Sequence, residues 1–229
     1  MNTSRVIIFF YLLGIALLLA EIFDIILLQL IPRLLMLPLI YWIYVKKTKH
    51  TQIGLSLVFL FYFFGEISSF LTEKIGLSYS LVFFGLGHLI LCGYAFKLIQ
   101  EKGTKKLLYY SVPLILLWLI YYEFYFRDAF GATLDTLYPF VMGYSISIVV
   151  LNVLANVSFF NSGSQLTLYL IIIAVSVIVG DAMMSMFLFF NPVKLFEVIN
   201  VMSHVISYIF LLKFATDYEG SKLKSTFLP

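Results

Sequence analysis

Residues 53–72 read IGLSLVFLFYFFGEISSFLT, a run of membrane-spanning length that carries one acid, Glu66. A helix needs about 20 mostly apolar residues to cross a hydrocarbon core of about 30 Å. The run meets that length, and its neighbours repeat the pattern. Of 229 residues, 62% are hydrophobic and 12% are charged. Mean hydropathy is +1.02. A soluble domain carries about 25% charged residues, so the composition excludes one and predicts an all-α, polytopic transmembrane bundle.

Eight spans are expected, at about 6–25, 30–45, 53–72, 78–98, 107–124, 137–155, 167–189 and 194–215. The connections between them are short, which makes neighbours antiparallel and leaves room for a single transmembrane domain over residues 1–229. The first run follows Arg5 and has no small-x-small cleavage site, so it is read as a retained helix. A lone cysteine, Cys92, lies mid-span and excludes disulfides and cysteine-rich metal sites.

Basic residues set the orientation. With the N-terminus inside, 11 Lys and Arg fall on cytoplasmic segments and 4 on the opposite side, Arg33, Lys74, Arg127 and Lys194. Lys/Arg excess marks cytoplasmic loops. Both termini are therefore expected in the cytoplasm of a multi-pass membrane protein, which in a bacterial cell would place it in the inner or plasma membrane. The net charge of +3 follows from this topology and gives no support to a nucleic-acid partner. Trp42 and Tyr44 fall where an inner aromatic belt belongs, and Trp118, Tyr121 and Tyr122 where an outer one does. Asn152 and Asn156 are expected to hydrogen-bond between helices, and the tail from Asp217 to Pro229 to be disordered.

An ionisable residue inside a span marks function by default, since a charge there costs about 2.5–3.5 kcal/mol on insertion scales. A second acid stands in the seventh span, where GDAMMSMFL (180–188) parallels GEISSFL (65–71). Each acid is followed in the next span by a histidine, His88 after 22 residues and His204 after 23. Two helix pairs of like direction, each with Gly-acid then His, suggest a parallel internal repeat of spans 3–4 and 7–8. Such a repeat brings Glu66, His88, Asp181 and His204 towards one cavity. Gly65, Gly85, Gly87 and Gly180 allow close helix approach beside three of these groups.

The ordered motifs PRLLMLPLI (32–40), FYFFGEISSFL (61–71), FFGLGHLILCGYAF (83–96), the Tyr138–Pro139 helix start and VSVIVGDAMMSMFL (175–188) resemble the YhhN-like, lysoplasmalogenase family. Glu66 stands where that family usually has Asp, and His204 where it tends to have Gln. The resemblance implies an eight-helix fold. It also implies hydrolysis of the vinyl ether bond of a lysoplasmalogen to a fatty aldehyde and a glycerophospho-base. Glu66 and Asp181 then become the catalytic carboxyls, with Arg33 and Tyr138 as substrate-binding residues and a membrane lysophospholipid as ligand.

That chemistry suits two carboxyls. A neutral acid protonates the alkene carbon, and an ionised one stabilises the resulting oxocarbenium ion and deprotonates water. It calls for no metal or cofactor. The aromatic surroundings of Glu66 lean towards Glu66 as donor and Asp181 as base, with His88 and His204 orienting them. Two further readings use the same residues. The two acids and two histidines are sufficient ligands for a zinc-dependent hydrolase, although no H-x-x-x-H pair is present. A non-catalytic lipid-binding or transport protein would also use a polar centre at this depth.

Overall fold

The computed structural model describes residues 3–48, 50–71, 73–100, 102–106, 108–110, 117, 120, 121, 124, 127, 128, 131, 134–190 and 192–226. The described residues are helical almost throughout, and seven continuous α-helices are delimited: α1 (Thr3–Ile22), α2 (Ile26–Lys47), α3 (Ile53–Ser68), α4 (Glu73–Leu98), α5 (Tyr138–Ser162), α6 (Gln165–Phe189) and α7 (Lys194–Thr226). Six contain stretches long and apolar enough to cross a membrane, and α3 is a shorter apolar helix. The chain is thus a multi-pass helical membrane protein. In the expected fifth span, 107–124, the described positions are helical. Its remaining residues, with Pro113, Trp118 and Tyr122, lie outside the described set.

Several boundaries differ from the sequence expectation, each for a local reason. Helix α2 runs from Ile26 rather than residue 30 and carries Pro32 and Pro38 in its interior. Neighbouring helices tolerate such prolines in membranes by re-satisfying freed backbone groups. Helix α3 stops at Ser68 instead of Thr72. The Ser68 hydroxyl donates to the Phe64 carbonyl at 2.7 Å and the Ser69 hydroxyl to the Glu66 carbonyl at 2.7 Å. Serine hydroxyls that take up carbonyls in this way compete with continuation of the helix. Glu66 therefore sits in the last turn of α3.

The tail expected to be disordered instead continues α7 to Thr226, since no proline interrupts it before Pro229. Between α5 and α6, Gly163 takes φ of +56° and its N–H donates to the Phe159 carbonyl at 2.7 Å. Ser164 then caps α6 by accepting from the Thr167 N–H at 3.3 Å. The left-handed glycine and the cap reverse the chain within two residues.

Each helix packs on its neighbour in this series, α4 directly on α5, and α7 closes the circuit against α1 and α2. An apolar core, with Leu37, Ile40, Leu55, Val58, Leu91, Leu151, Leu170 and Phe214 among its buried members, fills the half of the bundle near the α2–α3 and α5–α6 connections. Tyr44 belongs to this core and not to an interfacial belt. Its ring is fully buried against Phe59, and its hydroxyl accepts the Gln52 N–H at 2.9 Å. Trp42 sits beneath the Lys46 ammonium at 5.9 Å. Asn152 bridges helices, donating to the Ala174 carbonyl at 3.2 Å, whereas Asn156 donates within its own helix to the Asn152 carbonyl at 2.8 Å.

Candidate functional site

Towards the other end the bundle holds a cavity with polar groups set in a largely apolar lining. A cavity of about 150 Å³ is lined by residues from all seven helices, among them Leu17, Arg33, Glu66, Phe84, Tyr144, Asp181 and His204. A water needs about 10–15 Å³ of such volume, so several fit. The two intramembrane acids, far apart in the sequence, thus line one cavity.

Each acid is held by a tyrosine. Tyr208 of α7 donates its hydroxyl to Glu66 Oε1, and Tyr144 of α5 donates to Asp181 Oδ2 at 2.9 Å. Helix α3 is fixed behind Glu66 by Ser80 of α4, whose hydroxyl donates to the Gly65 carbonyl at 2.9 Å. Neither tyrosine stands out in a sequence with 16 of them. The one available signal is that Tyr208 follows His204 by four residues, which places both on the same helical face.

The histidines part company. His204 lines the same cavity as Asp181, with Phe84 and Tyr208 rings at 5.8 and 6.1 Å. His88 does not line the cavity and hydrogen-bonds no carboxylate. It is buried behind Tyr144 and Tyr62, with ring centroids 5.4 and 5.7 Å away, and its Nδ1 meets the Ser147 hydroxyl at 3.5 Å. The expected orienting role for His88 is corrected accordingly: it braces the tyrosine that holds Asp181.

Two of the expected packing glycines, Gly65 and Gly87, admit aromatic side chains, and Gly180 admits both side chain and backbone of α7. A Cβ on Gly65 would stand 2.9 Å from the Phe84 ring, and one on Gly87 only 2.4 Å from the Tyr62 ring. A Cβ on Gly180 would meet Asn200 Oδ1 at 3.1 Å and Ser203 Cβ at 3.2 Å. Around the cavity, glycine therefore seats aromatic and amide groups beside the acids.

At the mouth, Arg33 lines the cavity but is already engaged. Its Nη2 donates to Glu21 Oε2 at 3.2 Å, and Glu21 is almost fully buried. Lys194 reaches the same carboxylate at 3.7 Å, Glu197 at 2.8 Å, and also Asp24. This cluster ties α1, α2 and α7 together. Tyr138 opens α5 and is not among the residues lining the cavity. Among the described residues, no three His, Cys, Asp or Glu side chains gather closely enough to hold a metal ion. Glu66, Asp181, His88 and His204 are therefore not arranged as a zinc ligand set. No protein-family profile, curated protein or solved structure matches this chain.

Proposed function

We propose that the protein is an intramembrane hydrolase of lysophospholipids that cleaves a vinyl ether bond by carboxyl acid–base catalysis, as the motif resemblance to lysoplasmalogenases implies. The observation that carries the reading is the single cavity lined by both Glu66 and Asp181, each with a tyrosine hydroxyl on one oxygen. A hydroxyl donated to one oxygen leaves the other free to give or take a proton.

In the reaction, one carboxyl gives its proton to the alkene carbon that does not bear oxygen, leaving an oxocarbenium ion. Water attacks the carbon that does bear oxygen and loses a proton to the second carboxylate. The hemiacetal then collapses, its hydroxyl proton passing to the departing glycerol oxygen, to give aldehyde and a glycerophospho-base. The sum is addition of one water. Proton exchange through cavity water resets the pair. Either carboxyl fits either task, since both are held in the same manner.

The decisive assay measures aldehyde release by purified protein from lysoplasmalogen, its saturated alkyl ether and a lysophosphatidyl ester. Release from the vinyl ether alone is expected, because only the alkene can be protonated to an oxocarbenium ion. Turnover of the ester, or of none, would reject the reading.

Arg33 is proposed to meet the lipid phosphate at the mouth, since a guanidinium matches phosphate oxygens. Arg33→Gln should raise KM about tenfold with a smaller change in kcat, the signature of lost ground-state binding. A kcat loss with KM unchanged would place Arg33 in the chemistry instead.

The proposal also takes the full arrangement as eight spans in one transmembrane domain, with spans 3–4 and 7–8 as a parallel repeat and both termini cytoplasmic. The 11-to-4 distribution of basic residues supports it. Reporter fusions after residue 50 should read cytoplasmic and those after residue 76 external. A cytoplasmic signal at 76 would reverse the orientation.

A further inference from the structure

A second hollow is lined by neither acid. It is a groove of about 370 Å³ between α2 and α3, open along one side and largely apolar. It reaches inwards to Leu37 and Phe59, which are nearly fully buried, and outwards to Leu57, Leu60 and Ile53, which are exposed. Two of its hydroxyls occupy each other, Tyr41 donating to Ser56 Oγ at 3.5 Å. No carboxyl, imidazole or amine lines it, so it offers nothing for proton chemistry. An unfilled gap of this kind forfeits dispersion contacts along its walls, and a flexible apolar chain is the occupant that restores them.

The length of the groove narrows the choice. Its lining on α3 runs from Ile53 to Phe63. Those ten steps, at 1.5 Å each, span about 15 Å. That is half of a hydrocarbon core of about 30 Å, the depth that an acyl chain of one leaflet fills.

Charge narrows it further. Residues 38, 42 and 46 follow one another at i+4 and share a face of α2. Pro38 lines the groove, Trp42 follows it, and Lys46 lays its ammonium over the Trp42 ring at 5.9 Å. Lys46, with Lys47 beside it, thus stands beyond the end of the groove that Thr51 of the α2–α3 connection lines. Both lysines are exposed, and neither pairs with an acid among the described residues. From Ile25 to Gly65 the chain holds no Asp or Glu. Basic pockets between transmembrane helices on the cytoplasmic side take anionic headgroups, and the orientation proposed above puts this connection there.

We propose that the α2–α3 groove holds an anionic two-chain phospholipid of the adjoining leaflet. One acyl chain lies along α3, and the phosphate meets Lys46 and Lys47. The lipid is a resident ligand that fills the seam between two helices, and its site stands whether or not the cavity is a hydrolase site.

The test uses full-length protein carrying Trp118→Phe, which leaves Trp42 as the sole indole of a chain with two. In phosphatidylcholine vesicles, brominated phosphatidylglycerol should quench Trp42 at about fivefold lower mole fraction than brominated phosphatidylcholine, the worth of about one lysine near the surface. Lys46→Gln with Lys47→Gln should remove that preference and leave quenching by brominated phosphatidylcholine unchanged. Ser56→Phe, which fills the groove from its wall, should lose the preference with both lysines present. Equal quenching by the two lipids before any groove or lysine substitution overturns the site. A preference that survives Ser56→Phe overturns the groove, because headgroup attraction alone then accounts for it. Quenching by neither lipid means that a second copy of the chain covers Trp42, and it overturns the lipid occupant. The unaltered protein, offered an equimolar mixture of the two lipids in detergent, should retain phosphatidylglycerol in its native mass spectrum. Retention of both alike overturns the site without any variant that could misfold.

Discussion

Glu66→Gln and Asp181→Asn are each expected to lower aldehyde release by about 10²- to 10⁴-fold, the usual contribution of a positioned proton donor or acceptor. The amides keep the size of the acids and still accept from Tyr208 and Tyr144, so the cavity should hold its shape. What they lose is a proton that can be given or taken. Activity and thermal unfolding measured on the same preparations separate the two effects. Turnover retained by either variant removes that residue from the chemistry. Tyr208→Phe and Tyr144→Phe should fall in between, since each strips one hydrogen bond and leaves its acid free to titrate.

The largest stability effect is expected at Glu21, outside the proposed catalytic pair. Glu21→Ala should cost about 3 kcal/mol, because removing one partner of a buried ion pair leaves the other charge uncompensated. Arg33 keeps a quarter of its side chain exposed, against 2% for Glu21, which sets the expectation at the low end of the range for such pairs. Double replacement by Glu21→Leu and Arg33→Met should recover most of the loss, as apolar substitutes for a buried pair commonly do. Reversible unfolding of the single and double variants measures both. A single-variant loss below about 1 kcal/mol would make the contact an ordinary exposed ion pair.

How much of this was legible in the sequence depends on what the lipid environment hides. Helix positions were readable because twenty apolar residues have few alternatives in a chain this hydrophobic. The acids were readable because charge within such a run is costly, and both reach the same cavity. Rotation of each helix about its axis was not readable. In a membrane, lipid-facing and core-facing positions are both apolar, so the 3.6-residue polarity stripe that orients a soluble helix is missing.

Tyr44 shows the consequence: its position near a helix end reads as interfacial, yet its ring is in the core. His88 shows it again, since the helix is turned so that the ring lies behind Tyr144 and not beside an acid. Tyr144 carried no distinguishing signal, and Tyr208 only its four-residue spacing from His204, because their partners are distant in sequence. Glu21 reads as a flanking charge, and only the approach of Arg33 and Lys194 gives it a role.

The cluster around Glu21 also constrains how the protein is made. Glu21 and Arg33 belong to α1 and α2, which leave the ribosome well before α7, the helix that Lys194 opens. Glu66 likewise waits for Tyr208 on α7. Until α7 inserts, the nascent chain holds a buried acid with one counter-charge and a second acid with no hydroxyl to bind it. Both are features that a bilayer resists. Arrival of α7 thus completes the cavity lining and supplies the missing partners of both acids in a single step.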